Sequence, residues 1–141
     1  MKVVILAGGL GTRLGERSVD IPKPMVPIGD KPILWHIMRT YAHYGCNEFI
    51  LCLGYKGESI KDYFLHYQAR HGDCTVDLGA GTVTYHHPDT ADWTVTLADT
   101  GLHTLKGARL KRIESYLADE TNLLTYGDGV ADVDIPALIA H

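Results

Sequence analysis

The sequence predicts an α/β protein, a Rossmann-like, doubly wound, mostly parallel sheet with flanking helices, expected to be truncated. Three observations predict it. Residues 2–7 form a short apolar, β-branched run that stops at Gly8-Gly9, as a strand buried on both faces does. Residues 1–72 then read strand, loop, helix, strand, helix. Two further runs, 48–53 and 123–126, have the same buried-strand character, and each leads into glycine.

The elements follow in order. Residues 8–29 hold five glycines and three prolines, and Pro22, Pro24 and Pro27 forbid a continuous helix. An irregular segment of that length inside a compact domain is usually functional. Asp30-Lys31-Pro32 should open a helix, with Pro32 in the first turn and Ile33, Ile37, Tyr41 and Tyr44 on one face until Gly45 stops it. From Ser59 a second amphipathic helix carries Ile60, Tyr63, Phe64 and Tyr67, and Gly72 ends it. Residues 75–78 and 83–87 read as a hairpin around Gly79-Ala80-Gly81. Residues 93–98 alternate as a strand, Leu110, Ile113 and Leu117 mark a third helix, and Asp134-Ile135-Pro136 begins another.

Composition narrows the function. With 45% hydrophobic and 21% charged residues, the 141-residue chain matches an ordinary folded domain. A net charge of −4 without a basic run argues against nucleic acid. No stretch approaches the roughly 18 apolar residues of a membrane span, and no leader is recognisable, so a cytoplasmic protein is expected. The three cysteines, Cys46, Cys52 and Cys74, form no Cys-x-x-Cys pair and read as reduced thiols. The eight histidines offer no ligand spacing: His86-His87 would face opposite sides of a strand, and His66 and His71 are five apart.

The chemistry gathers in Leu6-Ala7-Gly8-Gly9-Leu10-Gly11-Thr12-Arg13-Leu14. A strand delivers the chain into three glycines within four residues. Glycine lets backbone N–H groups converge and lets phosphate approach with no Cβ in the way. Arg13 adds a forked cation suited to phosphate oxygens. The loop is not a P-loop, because no Gly-Lys-Ser/Thr follows. Nor is it a dinucleotide fingerprint, because Leu14 stands where the third glycine belongs. Taken alone, the cluster is also compatible with a tight turn.

Two further features support the phosphate reading. Lys23 lies between Pro22 and Pro24, which restrict the backbone and allow a lysine to be aimed rather than left in solvent. Asp128, between Gly127 and Gly129, follows a predicted buried strand, where ligands of open α/β sheets bind; a carboxylate there suits Mg²⁺ against phosphate, or else caps a turn. Asp134 fits an N-cap better than a ligand.

In this order and at these separations, the glycine loop, Pro22-Lys23-Pro24-Met25 and Asp128 resemble the sugar-1-phosphate nucleotidylyltransferases. Residues 31–38, 54–57, 93–101, 109–112 and 126–132 are similar to the branch of that family using CTP and glucose 1-phosphate. The resemblance implies CDP-glucose and pyrophosphate as products, Mg²⁺ as cofactor, and a role in nucleotide-sugar supply for surface polysaccharide. It implies nucleotide contacts from Leu6, Ala7, Gly8, Gly9, Leu10, Gly11, Thr12, Arg13, Lys23, Thr104, Arg109 and Gly127. Lys23 and Arg13 would be the catalytic cations and Asp128 the metal ligand. It also implies a homo-oligomer when complete. Thr104 stands where serine is common, and Ile21 where a lysine is expected. Family members are nearly twice as long, so residues 1–141 read as the N-terminal nucleotide-binding part, with the sugar-binding C-terminal half absent. UTP, dTTP or GTP as donor, mannose as sugar, and a non-catalytic nucleotide-binding module stay open as alternatives.

Overall fold

The computed structural model describes residues 1–9, 21–86, 92–117, 120–127 and 137. The predicted helix at Asp134 lies outside them.

Four strands form a parallel sheet: β1 (Val3–Ala7), β4 (Glu48–Leu53), β7 (Thr94–Asp99) and β8 (Leu123–Tyr126), in the order β7-β4-β1-β8. Helices α1 (Ile33–His43), α2 (Gly57–Leu65) and α4 (Lys106–Arg112) flank it. The period-2 alternation of strand side chains splits the core between two faces. Val3, Ile5, Ala7, Phe49, Leu51 and Leu53 pack with Leu34, Ile37 and Met38 of α1 and Ile60 of α2. Val4, Ile50, Cys52 and Ala98 pack with Ile113, just past α4, and with Leu110. Burial on both faces explains why β1 and β4 read as continuous apolar runs.

The order of the strands places the site. The chain builds outward from β1 to β4 to β7, then returns to the other side of β1 with β8. The strand order therefore reverses between β1 and β8, and ligands of open α/β sheets bind beyond the carboxyl ends at such a switch.

Several boundaries differ from those the sequence suggested. Pro32 is extended rather than helical. It belongs to β3 (Lys31–Pro32), which pairs with β2 (Pro27–Ile28) across a turn at Gly29, whose φ is +68°, and the helix starts one residue later. The inward stripe of α1 is Leu34, Ile37 and Met38, while Tyr44 is exposed at the C-cap; Gly45, at φ +87°, ends the helix as expected. Helix α2 begins at Gly57, ahead of Ser59, because Lys56 takes a left-handed conformation (φ +52°) before it. It breaks at His66, whose Nδ1–H donates to the Asp62 carbonyl at 2.9 Å, and a short α3 (Tyr67–Arg70) ends similarly with His71 on Tyr67 at 2.7 Å. These histidines cap helix ends, and among the described residues no His/Cys/Asp/Glu group could hold a metal.

The hairpin β5 (Asp73–Asp77) and β6 (Thr82–His86) forms a separate two-stranded sheet, with all ten residues exposed. Cys46 and Cys52 are buried free thiols and Cys74 an exposed one. No described helix is long and apolar enough to cross a membrane.

Candidate functional site at the carboxyl edge of the sheet

Glycine follows three of the parallel strands directly: Gly8 after β1, Gly54 after β4 and Gly127 after β8. At β7 it comes one residue later, as Thr100-Gly101. The reason at two of these positions is the guanidinium of Arg109, which reaches in from α4. A Cβ at Gly8 would run into that guanidinium, and one at Gly54 would lie 2.7 Å from its Nη1. Gly101 has φ +94°, and a Cβ there would meet the Thr104 hydroxyl and Arg112.

Arg109 is 5% exposed. Its Nη1 donates to the Leu53 carbonyl at 3.2 Å and the Thr100 hydroxyl at 2.7 Å; its Nη2 donates to the Gly8 carbonyl at 3.1 Å and the Leu102 carbonyl at 3.3 Å. One side chain thus ties together the ends of β1, β4 and β7. Arg112 reinforces the third by donating to the Thr100 carbonyl at 2.6 Å. Burial lowers the Arg109 pKa, and nearby Cys52 pulls the other way. A guanidinium nonetheless stays protonated in a protein. The same burial pushes the Cys52 thiol up to about 11, with Arg109 opposing, so the thiol is neutral and unreactive at neutral pH.

On the other side of β1, Gly127 N–H donates to the Leu6 carbonyl at 3.0 Å. A Cβ on Gly127 would sit 3.3 Å from Ala7 and 3.4 Å from Pro24. That contact places the residue after Lys23 against the joint between β1 and β8. Lys23 itself begins a 3₁₀ turn (Lys23–Met25) closed by Met25 N–H on the Pro22 carbonyl at 2.8 Å. Two prolines and this turn fix the lysine's backbone beside the switch point.

The described part of the predicted constellation is therefore brought together. Leu6 and Ala7 finish β1, Gly8 and Gly9 leave it, Gly127 closes β8 beside them, and Pro24 carries Lys23 to the same joint. Thr104 lies at the outer margin by Gly101. Leu10, Gly11, Thr12, Arg13 and Asp128 lie outside the described residues. Thr100, Gly54 and Gly101 are parts of this edge to which the sequence reading gave no physical role. Their available signal was a glycine at or just after the end of each predicted strand. A cavity of about 360 Å³, lined by Phe64, Leu65, Tyr67, Tyr85, Trp93 and neighbours, contains none of the predicted site residues.

Residues 2–100 match the family model for nucleotidyl transferases. The chain belongs to the nucleotidyl transferase family. It is 52% identical to a probable glucose-1-phosphate cytidylyltransferase of Bacillus subtilis, covering all of this chain and 55% of that protein. It is 54% identical to glucose-1-phosphate cytidylyltransferase of Salmonella typhimurium, covering 99% of this chain and 54% of that protein. The chain thus spans about half the length of the curated relatives it matches. Among solved structures, HddC from Yersinia pseudotuberculosis complexed with GMP-PN superposes with a TM-score of 0.73 at 29% identity, over 99% of this chain and 52% of that one. The family membership agrees with the parallel sheet and its flanking helices.

Proposed function

We propose that this chain supplies the nucleoside-triphosphate-holding part of an enzyme that transfers a cytidylyl group from CTP to α-D-glucose 1-phosphate, giving CDP-glucose and pyrophosphate. The observation that carries the reading is the convergence of Gly8-Gly9, Gly127 and the proline-held Lys23 at the switch between β1 and β8. Identity above 50% to glucose-1-phosphate cytidylyltransferases along the whole chain supports the choice of base and sugar.

The sugar phosphate is already a nucleophile at neutral pH, so no general base is needed. Its oxygen attacks the α-phosphorus in line, the bond to the bridging oxygen breaks, and pyrophosphate leaves with that electron pair. Catalysis is then mainly positioning and charge stabilisation. Lys23 would offset charge on the α-phosphoryl group. Arg13 and the loop N–H groups would hold the departing pyrophosphate. No described residues form a metal site. The proposed Mg²⁺ ligand, Asp128, is the residue after Gly127, and Mg²⁺ when bound would neutralise phosphate charge there. The same reading puts the sugar site outside residues 1–141 and takes the assembled enzyme to be a cytoplasmic homo-oligomer.

The test is pyrophosphate release by the full-length protein from CTP and glucose 1-phosphate with Mg²⁺, against UTP, dTTP, GTP and mannose 1-phosphate. Equal or faster turnover with another pair would overturn the assignment. Residues 1–141 alone should bind CTP weakly and make no CDP-glucose, since an unaligned nucleophile forfeits much of the rate enhancement.

A further inference from the structure

We infer that Arg109 is a positioning residue, which aims the Gly9 amide at the phosphates of the bound nucleotide by holding the carbonyl of Gly8. The inference rests on the reading above that a nucleoside triphosphate occupies this edge.

A trans peptide is planar, so its C=O and the following N–H point in opposite directions. The Gly8 carbonyl accepts from Arg109 Nη2 at 3.1 Å and, at a longer 3.4 Å, from the Tyr55 N–H. Both donors lie on the β4 side of β1. With the carbonyl pinned there, the Gly9 N–H is turned away from Arg109 and Tyr55. Gly9 is exposed, and a Cβ built on it meets no described atom within 4 Å. The pinning is rigid because the same guanidinium also holds Leu53, Thr100 and Leu102, which commits four of its five N–H donors to protein oxygens. None of those four acceptors is a carboxylate. The guanidinium therefore keeps its charge at the end of β1, with Asp99 acting on it through space rather than through one of these hydrogen bonds. Lysine could keep that charge, but its single ammonium cannot bridge three strand ends in a fixed fork.

The test follows the Gly9 amide by ¹⁵N–¹H NMR during titration with CTP, in the wild-type protein and in Arg109→Lys. The Gly8 carbonyl ¹³C shift in the absence of nucleotide serves as a second readout. In the wild type the Gly9 resonance should move with CTP. In Arg109→Lys the Gly8 carbonyl should shift without nucleotide, the Gly9 response should shrink, and CTP affinity should fall about tenfold or more, the scale of one charged hydrogen bond. Amides of β4 and α1 should keep their wild-type dispersion. An unchanged Gly9 response in Arg109→Lys overturns the positioning role and leaves the nucleotide reading intact. A wild-type Gly9 amide indifferent to CTP overturns both. Should Arg109→Lys not fold, Thr100→Val carries the test, because it removes one guanidinium acceptor at nearly constant volume. A smaller loss of the Gly9 response is expected there, and none would overturn the inference.

Discussion

Strand β1 and the hairpin strands β5 and β6 have the same length, five residues, and opposite fates. Four of the five β1 residues are buried, and both of its edges are paired. In the hairpin strands every residue is exposed, and among the described residues each strand pairs only with the other. The sequences already differ in kind: Val-Val-Ile-Leu-Ala is apolar throughout, whereas Asp-Cys-Thr-Val-Asp and Thr-Val-Thr-Tyr-His alternate. Stability is concentrated where strands are covered on both faces, and the proposed ligand chemistry sits at the rim of that rigid part. A glycine loop hung on a two-stranded ribbon would have no fixed frame, since an isolated hairpin is marginal in water.

The largest effect should come from breaking the rigid side at its most crowded point. Gly8→Val puts a branched side chain where the Arg109 guanidinium lies. It should cost about 3 kcal/mol or more, because displacing Arg109 strands buried carbonyls and a buried charge. Gly9→Val, one residue on, meets no described atom within 4 Å. It should change stability by no more than about 0.5 kcal/mol while abolishing triphosphate binding through the space the phosphates need. Urea denaturation of both variants with calorimetric CTP titration of the second checks the pair; equal destabilisation would erase the distinction between the two glycines.

That distinction also marks how far the sequence could be read. Strands β1 and β4 were legible because a double-faced environment demands a continuous apolar run, and 3–7 and 49–53 carry that demand in their side chains; the run 123–126 was expected to be buried too, but β8 ends the described sheet and leaves Leu124 and Tyr126 half exposed. The glycine exit from β1 and the turn at Lys23 were legible because glycines and prolines constrain the chain locally. The β2–β3 pair was not, since two residues per strand leave no periodicity to detect. The break of α2 at His66 depends on one side-chain hydrogen bond rather than on a helix-breaking residue. The role of Arg109 was beyond local reading altogether. It exists only because three strands far apart in the chain end side by side.

Lys23→Ala should lower kcat of the full-length enzyme by about 10²-fold with the fold intact. Rates within threefold of wild type would remove Lys23 from the chemistry and reduce the proline-held turn to a structural feature.

A third effect is pH-dependent and belongs to the covered side of β4. The folded Cys52 thiol has its pKa raised to about 11 from an ordinary 9.0, chiefly by burial. A group whose pKa is raised on folding contributes stability that is fully present below its unfolded pKa and is lost as pH rises through the folded one. Between about pH 9 and 11 the protein should therefore lose on the order of 2–3 kcal/mol. Urea midpoints across that range, compared with Cys52→Ala, measure it, and an identical slope in the variant would assign the loss to other groups.

The smallest effect is expected in the hairpin. Val76 and Val83 lie opposite each other and are 53% and 48% exposed. With Cys74 and Tyr85, also paired, they form the apolar face of the ribbon, while Asp73, Thr75, Asp77, Thr82, Thr84 and His86 form the polar one. Val83→Thr keeps the β-branched shape and replaces a methyl that is half in water already. The change should be within about 0.5 kcal/mol, against the far larger cost of Gly8→Val at the sheet edge. Urea denaturation at two protein concentrations gives the answer. A loss above about 1 kcal/mol that grows with protein concentration would mean that another copy covers this face, and the ribbon would then belong with the buried strands rather than in contrast to them.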